Sequence, residues 1–265
     1  MNLPWHNVEP LDPRTFAAVR RTAIFECCKW DPQVEDVCTL SATPIVLTSE
    51  AWAELATLAV ALAEEMSQAE NEILQRPELL GELGLPWFLR RRLSSMTLPA
   101  EARHHLRLVR FDFHFTTKGW RISEANSDVP GGFNEASGFT RLMAQYYRGR
   151  VAPCDPVREM TSSIGKTLRS GGTVALVHAT AFSDDRQVMV HLARHLEEAG
   201  MHPVLVAPDQ LRWEQGRAFV DTDWFRGGAD FVFRFFPAEW LPSLPRRSAW
   251  WNLLGESKTP LCNPG

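Results

Sequence analysis

With 265 residues, 45% of them hydrophobic, the chain can bury a large core, either as one big domain or as two small ones. Its net charge of -4, with lysine and arginine scattered rather than gathered into a stripe, excludes the electrostatic footprint of a nucleic-acid binder. No apolar run approaches the roughly 20 residues of a bilayer crossing, and MNLPWHNVEP lacks the basic-then-apolar order of a signal peptide, so a soluble cytoplasmic protein is expected.

A short helix is expected from about Pro13, followed by a polar turn region at WDPQVEDV. The apolar run of PIVL ends at Thr48 and Ser49, either of which can cap the next helix. Trp52, Leu55, Leu58 or Ala59, Leu62 and Met66 then recur at helical spacing, a stripe expected to pack on a core. Arg90, Arg91 and Arg92 read as a phosphate patch or, more plainly, as a solvated helix face.

Residues 109–116 alternate strictly, which predicts a strand with Phe111, Phe113 and Phe115 on a buried face and Arg110, Asp112 and His114 on the other. Thr117-Lys118-Gly119 reads as a three-residue hairpin loop with Gly119 in the left-handed position. That loop sets Asp112 across from Glu124 and Arg110 across from Asn126, whereas a four-residue loop would set Glu124 opposite Phe111. Facing carboxylates repel, so positive charge is expected between them, part of it from Arg110 and the rest from a bound metal ion.

After the hairpin, a Pro-Gly-Gly loop leads into a helix carrying Phe139, Leu142, Met143 and Tyr146. Its backbone amides could approach an anion, though two adjacent glycines also read simply as a flexible turn. From about residue 170 the pattern becomes strand (GGTVALVHA), helix (SDDRQVMVHLARHLEEAG) and strand (HPVLVAPDQL), with a further strand at DFVFRFF. This unit predicts a small sheet with parallel neighbours. The closing SKTPLCNPG would leave backbone groups unpaired unless more chain follows, so a longer protein is expected.

Other constellations carry less. His191 and His195, four apart on a helix, could meet one metal, but no HExxH pattern surrounds them and their neighbours read as a solvated face. Cys27, Cys28, Cys38, Cys154 and Cys262 are odd in number without CxxC spacing, which reads as buried thiols in a reducing compartment. Neither a Walker A loop nor GxGxxG is present. The run Ser183 to Asp185 is explained by helix capping. The hairpin stands above these: Asp112, Glu124 and Asn126 are hard oxygen ligands suited to magnesium or manganese rather than zinc, and Arg110 beside them can hold a phosphoryl oxygen. The same spacing also describes a surface hairpin with a cross-strand ion-pair network.

The segment RFDFHF...GWRISEANSD resembles the metal-binding segment of the glutathionylspermidine synthase family, a circularly permuted branch of the ATP-grasp ligases, with Ser127 where that family usually has alanine. FRFFPAEWL is similar to the family's aromatic-Pro-x-Glu-Trp motif, and the likeness extends upstream through KWDPQVEDV. The resemblance implies an α+β fold, with an ATP-grasp-like metal-binding portion over residues 1–165 and a small α/β, Rossmann-like pre-ATP-grasp domain over 166–245. The start of a truncated return segment would then occupy 246–265. By the same resemblance Asp112, Glu124 and Asn126 would ligate Mg2+ (or Mn2+) bridging the phosphates of ATP, with Arg110 on the transferring phosphoryl group. The implied reaction is ADP-forming ligation of a small-molecule acid to an amine through an acyl phosphate. The family's phosphate-binding lysines and adenine-sandwiching strands would lie after Gly265. Two alternatives stay open, a non-catalytic scaffold that keeps the fold and a magnesium-dependent phosphoesterase, though the latter wants more acidic ligands than the hairpin offers.

Overall fold

The computed structural model describes residues 3–96, 105–168 and 171–264. In chain order it contains β1 (Trp5–His6), α1 (Pro13–Phe25), β2 (Gln33–Val34), β3 (Val37–Cys38), β4 (Val46–Leu47), the long α2 (Ser49–Gln75), α3 (Leu79–Glu82) and α4 (Trp87–Ser95). The hairpin β5 (Arg110–Thr116) and β6 (Gly119–Asn126) follows, then a π-helical turn Asn134–Phe139 running into α5 (Thr140–Ala144), and α6 (Pro156–Thr167). The remainder comprises β7 (Thr173–His178), α7 (Ser183–Glu198), β8 (His202–Val206), β9 (Leu211–Glu214), β10 (Arg217–Asp221), β11 (Arg226–Gly228), β12 (Phe231–Phe235) and β13 (Leu261–Cys262), with short 3-10 turns before β13. No described helix is long and apolar enough to cross a membrane.

Helix starts follow local chemistry. Asp12 precedes Pro13, and its carboxylate accepts the amides of Arg14 and Thr15, both at 3.0 Å. Asp155 before Pro156 does the same for Val157 and Arg158. Thr48 caps α2 by accepting the Ala51 amide at 3.1 Å. At α7, Ser183 lies inside the helix, and the flanking Phe182 supplies no side-chain cap. Asp184 and Asp185 instead complement the helix dipole in its first turn.

The centre is a four-stranded parallel sheet in the order β13-β12-β7-β8. Val174 through His178 are all buried, as expected of a parallel strand covered on both faces. Val174, Leu176, Phe231 and Phe233 meet Val157, Ile164, Met189, Leu192 and Leu196 of α6 and α7 on one side. Ala175, Val177 and Val232 meet the meander β9-β10-β11 and the 3-10 turns bearing Leu241 and Leu253 on the other. The predicted strand-helix-strand unit is therefore present. The meander carries no such signal in our sequence reading, although Gln215-Gly216, both at positive φ (52° and 81°), forms the two-residue turn that mirrors strand twist.

Several expectations change. Only Ala51 of α2 is buried, while Leu55, Leu58, Ala59, Leu62 and Met66 are half-buried and Trp52 is exposed, so the stripe does not enter a core among the described residues. The phenylalanines of the hairpin are likewise half-buried, because β5 and β6 form a two-stranded ribbon outside the main sheet. His191 lies on the buried rather than the solvated face of α7, 2% exposed, its ring 4.6 Å from that of His195. TPLCNPG has partners: Leu261 and Cys262 pair with Val232 and Phe233, and Cys262 also bridges to Leu106. Of the arginine run, Arg90 and Arg91 are exposed, but Arg92 pairs with Glu256 and covers the Trp251 ring at 5.2 Å.

Candidate active site on the hairpin

β5 and β6 bring the four predicted residues together at the open end of the hairpin, Asp112 opposite Glu124 and Arg110 opposite Asn126. The register arises differently from the expected loop. Near the turn Thr116 faces Gly119, Phe115 faces Trp120 and Phe113 faces Ile122, and a bulge opposite Asp112 and Phe113 then absorbs Ser123. The bulge shifts the pairing by one residue and so restores the carboxylate pair. Gly119 does take the left-handed conformation, φ +85°. Ser123 Oγ lies 2.8 Å from His114 Nε2 and donates to the Asp112 carbonyl at 3.2 Å, which ties the bulge to β5. On the opposite face Trp120 packs edge-on against Phe115, which also meets Trp5.

The positive charge expected between the carboxylates is Arg110. Its Nε and Nη2 donate to the two carboxylate oxygens of Asp112 at 2.8 and 3.1 Å, and Nη2 reaches Glu124 Oε1 at 3.5 Å. The hydrogen bond to Asp112 is the largest influence holding the guanidinium pKa above its ordinary value, opposing its partial desolvation. The side chains remain 40%, 37% and 53% exposed, so this triad is reachable by a solute.

Two facing carboxylates with an amide oxygen at the next pair on the same face suit a hard cation that keeps several waters and shares phosphate oxygens, as magnesium does. The donor set fits that ion. Among the described residues, however, no group of three or more His, Cys, Asp or Glu side chains converges on a cation position, so such an ion would rely on Asn126, solvent and a bound phosphate for its other ligands.

Three residues that the sequence reading passed over hold this hairpin in place. Asp128 follows β6, Arg234 is the penultimate residue of β12 and fully buried, and Asn263 follows β13. The Arg234 guanidinium forms an ion pair with Asp128 Oδ1 at 2.5 Å. The signal was available for Arg234: an arginine inside the apolar run FVFRFF must find partners or be excluded.

A covered parallel sheet with a polar hairpin anchored at the carboxyl ends of its strands defines a mixed α+β protein. The chain belongs to the family described as glutathionylspermidine synthase preATP-grasp, whose model matches residues 34–258. No curated protein matches the chain.

Proposed function

We propose that this chain carries the metal and phosphoryl-handling portion of an ATP-dependent, ADP-forming carboxylate-amine ligase. The observation that carries the reading is the Asp112–Glu124 pair bridged by the Arg110 fork, on a chain of this family. In this reading residues 1–165 supply the ATP-grasp-like portion and 166–245 the small domain, with a small-molecule acid and an amine as substrates. The five cysteines are free thiols, which suits a reducing cytoplasm.

Phosphoryl transfer asks a protein for positioning and charge neutralisation more than for covalent help. Asp112 and Glu124 would hold Mg2+ with Asn126, and the ion would neutralise phosphate charge when bound. Arg110, always protonated, would exchange its Asp112 contact for an equatorial oxygen of the transferring phosphoryl group, a planar donor to a planar acceptor. The acid substrate, converted to an acyl phosphate, then presents the amine with a good leaving group.

Calorimetric titration of ATP with and without magnesium tests this, with Asp112→Asn and Glu124→Gln as comparisons. Each variant removes one charge and conserves volume, so magnesium-dependent binding should be lost in both while the fold persists. Unchanged affinity in both variants overturns the metal assignment. Among the described residues no cluster of three or more acidic, His or Cys side chains converges, and a non-catalytic binding protein that keeps the fold stays as the second reading. Magnesium-independent ligand binding is its expected signature.

A further inference from the structure

Asp128 stands two residues after Asn126, and Leu108 stands two residues before Arg110, so these positions flank the open end of the hairpin. Asn263 holds both, and Arg234 holds Asp128 and Asn263. Asn263 Oδ1 accepts the Leu108 amide at 2.7 Å, while its Nδ2 donates to the carbonyls of Leu108 and Asp128, each at 3.1 Å. Arg234 Nε donates to the Asn263 carbonyl at 2.6 Å, and its guanidinium bonds the Asp128 carboxylate and the Phe236 carbonyl. The other oxygen of Asp128 accepts the Ala238 amide at 2.9 Å, and the Asn263 amide donates to the Leu106 carbonyl at 2.9 Å. Asn263 is 1% exposed and holds φ at +53°, a left-handed conformation asparagine tolerates better than bulkier residues do.

We propose that Arg234, Asp128 and Asn263 form a clamp that locks both chain ends of the hairpin to the carboxyl ends of β12 and β13 and thereby fixes the spacing of Arg110 and Asn126. They are positioning residues, since none belongs to the facing set itself. The geometry supports that role over general packing. Asn263 spends its amide bridging the two hairpin ends, and a two-stranded ribbon is marginal without such support. A buried guanidinium also has no tolerable arrangement other than the one its partners dictate. Only the consequence for metal binding rests on the ligase reading.

Amide hydrogen exchange on Asn263→Ala and Asp128→Asn tests the clamp directly. Protection at residues 110–112 and 124–126 should fall at least tenfold, protection at Phe115 and Trp120 near the turn should change less, and β7 and α7 should keep theirs. Unchanged protection at the open end, or an equal loss throughout β7 and α7, overturns the proposal. Asp128→Asn retains an acceptor for Ala238 and serves if Asn263→Ala does not fold. Water-proton relaxation with Mn2+ alone then adds the functional arm, in which the clamp variants should bind Mn2+ at least tenfold more weakly than wild type. Wild-type binding that Asp112→Asn leaves intact would sink the metal reading, and the exchange pattern would still decide the clamp.

Discussion

Acidification should destabilise this fold through His191. The ring is buried against His195, and neither ring nitrogen has a hydrogen-bond partner among the described residues. Burial is the main cause pushing its pKa down from 6.5 to about 4; His195, Arg194 and Arg141 push the same way, and Asp155 opposes them. An unfolded chain regains the ordinary value, so above pH 6.5 both states are neutral and stability is at its full level. As pH falls from 6.5 towards 4, the unfolded state takes up the proton first and stability drops, by about 2 kcal/mol at pH 5 and about 3 kcal/mol once the folded ring also titrates. The site can be read by NMR of histidine ring protons, in which His191 should remain neutral through pH 5. In urea denaturation, His191→Phe should show a shallower loss of stability between pH 7 and pH 5 than wild type. A His191 resonance that titrates at 6.5 or above, or identical pH slopes in the two proteins, would refute the reasoning.

Phe113→Ala should cost about 2 kcal/mol rather than the roughly 3 to 5 of a core phenylalanine, because the ring is only half-buried beside Phe111 and Ile122. A cost of 4 kcal/mol or more in chemical denaturation would mean that the aromatic face is covered in solution. Gly138→Ala places a methyl carbon 2.5 Å from Cys27 Cβ and Sγ, and should destabilise by about 1 to 3 kcal/mol. The double variant with Cys27→Gly should show coupling; strictly additive effects would deny the close approach.

The elements legible in the sequence were those whose signal is local. Alternation exposed β5, continuous apolar runs exposed β7 and β12, and helical periodicity bounded by Gly200 exposed α7. The carboxylate pairing was also legible, although the reason was incomplete: the loop sets one register and the Ser123 bulge sets another, and no local rule announces a bulge at a serine. His191 was misread because its flanking residues read as a solvated face, whereas α7 turns His191 towards α6 and the π-helical turn. The pairing of β13 was out of reach for a different reason. Two residues carry no periodicity, and their partner lies some thirty positions earlier in β12.

The distribution of burial within the candidate site bears on its purpose. The Arg110, Asp112 and Glu124 triad is more than one-third exposed, and exposed ion pairs of this kind contribute only about 0 to 1 kcal/mol, so stability does not explain why three charges converge there. Arg234, whose partner Asp128 closely follows Glu124 in the chain, is completely buried, and removing that partner would leave a charge without water. A fold that accepts a buried charge to fix the end of a ribbon, yet leaves the charged face of that ribbon weakly paired, has separated anchoring from exchange. A weakly held guanidinium on a firmly held backbone can change partners without reorganising the strands beneath it. On the proposed ligase reading, that division is what positioning for phosphoryl transfer requires, because preorganised charge stabilises a transition state only if the scaffold need not move as the contacts form.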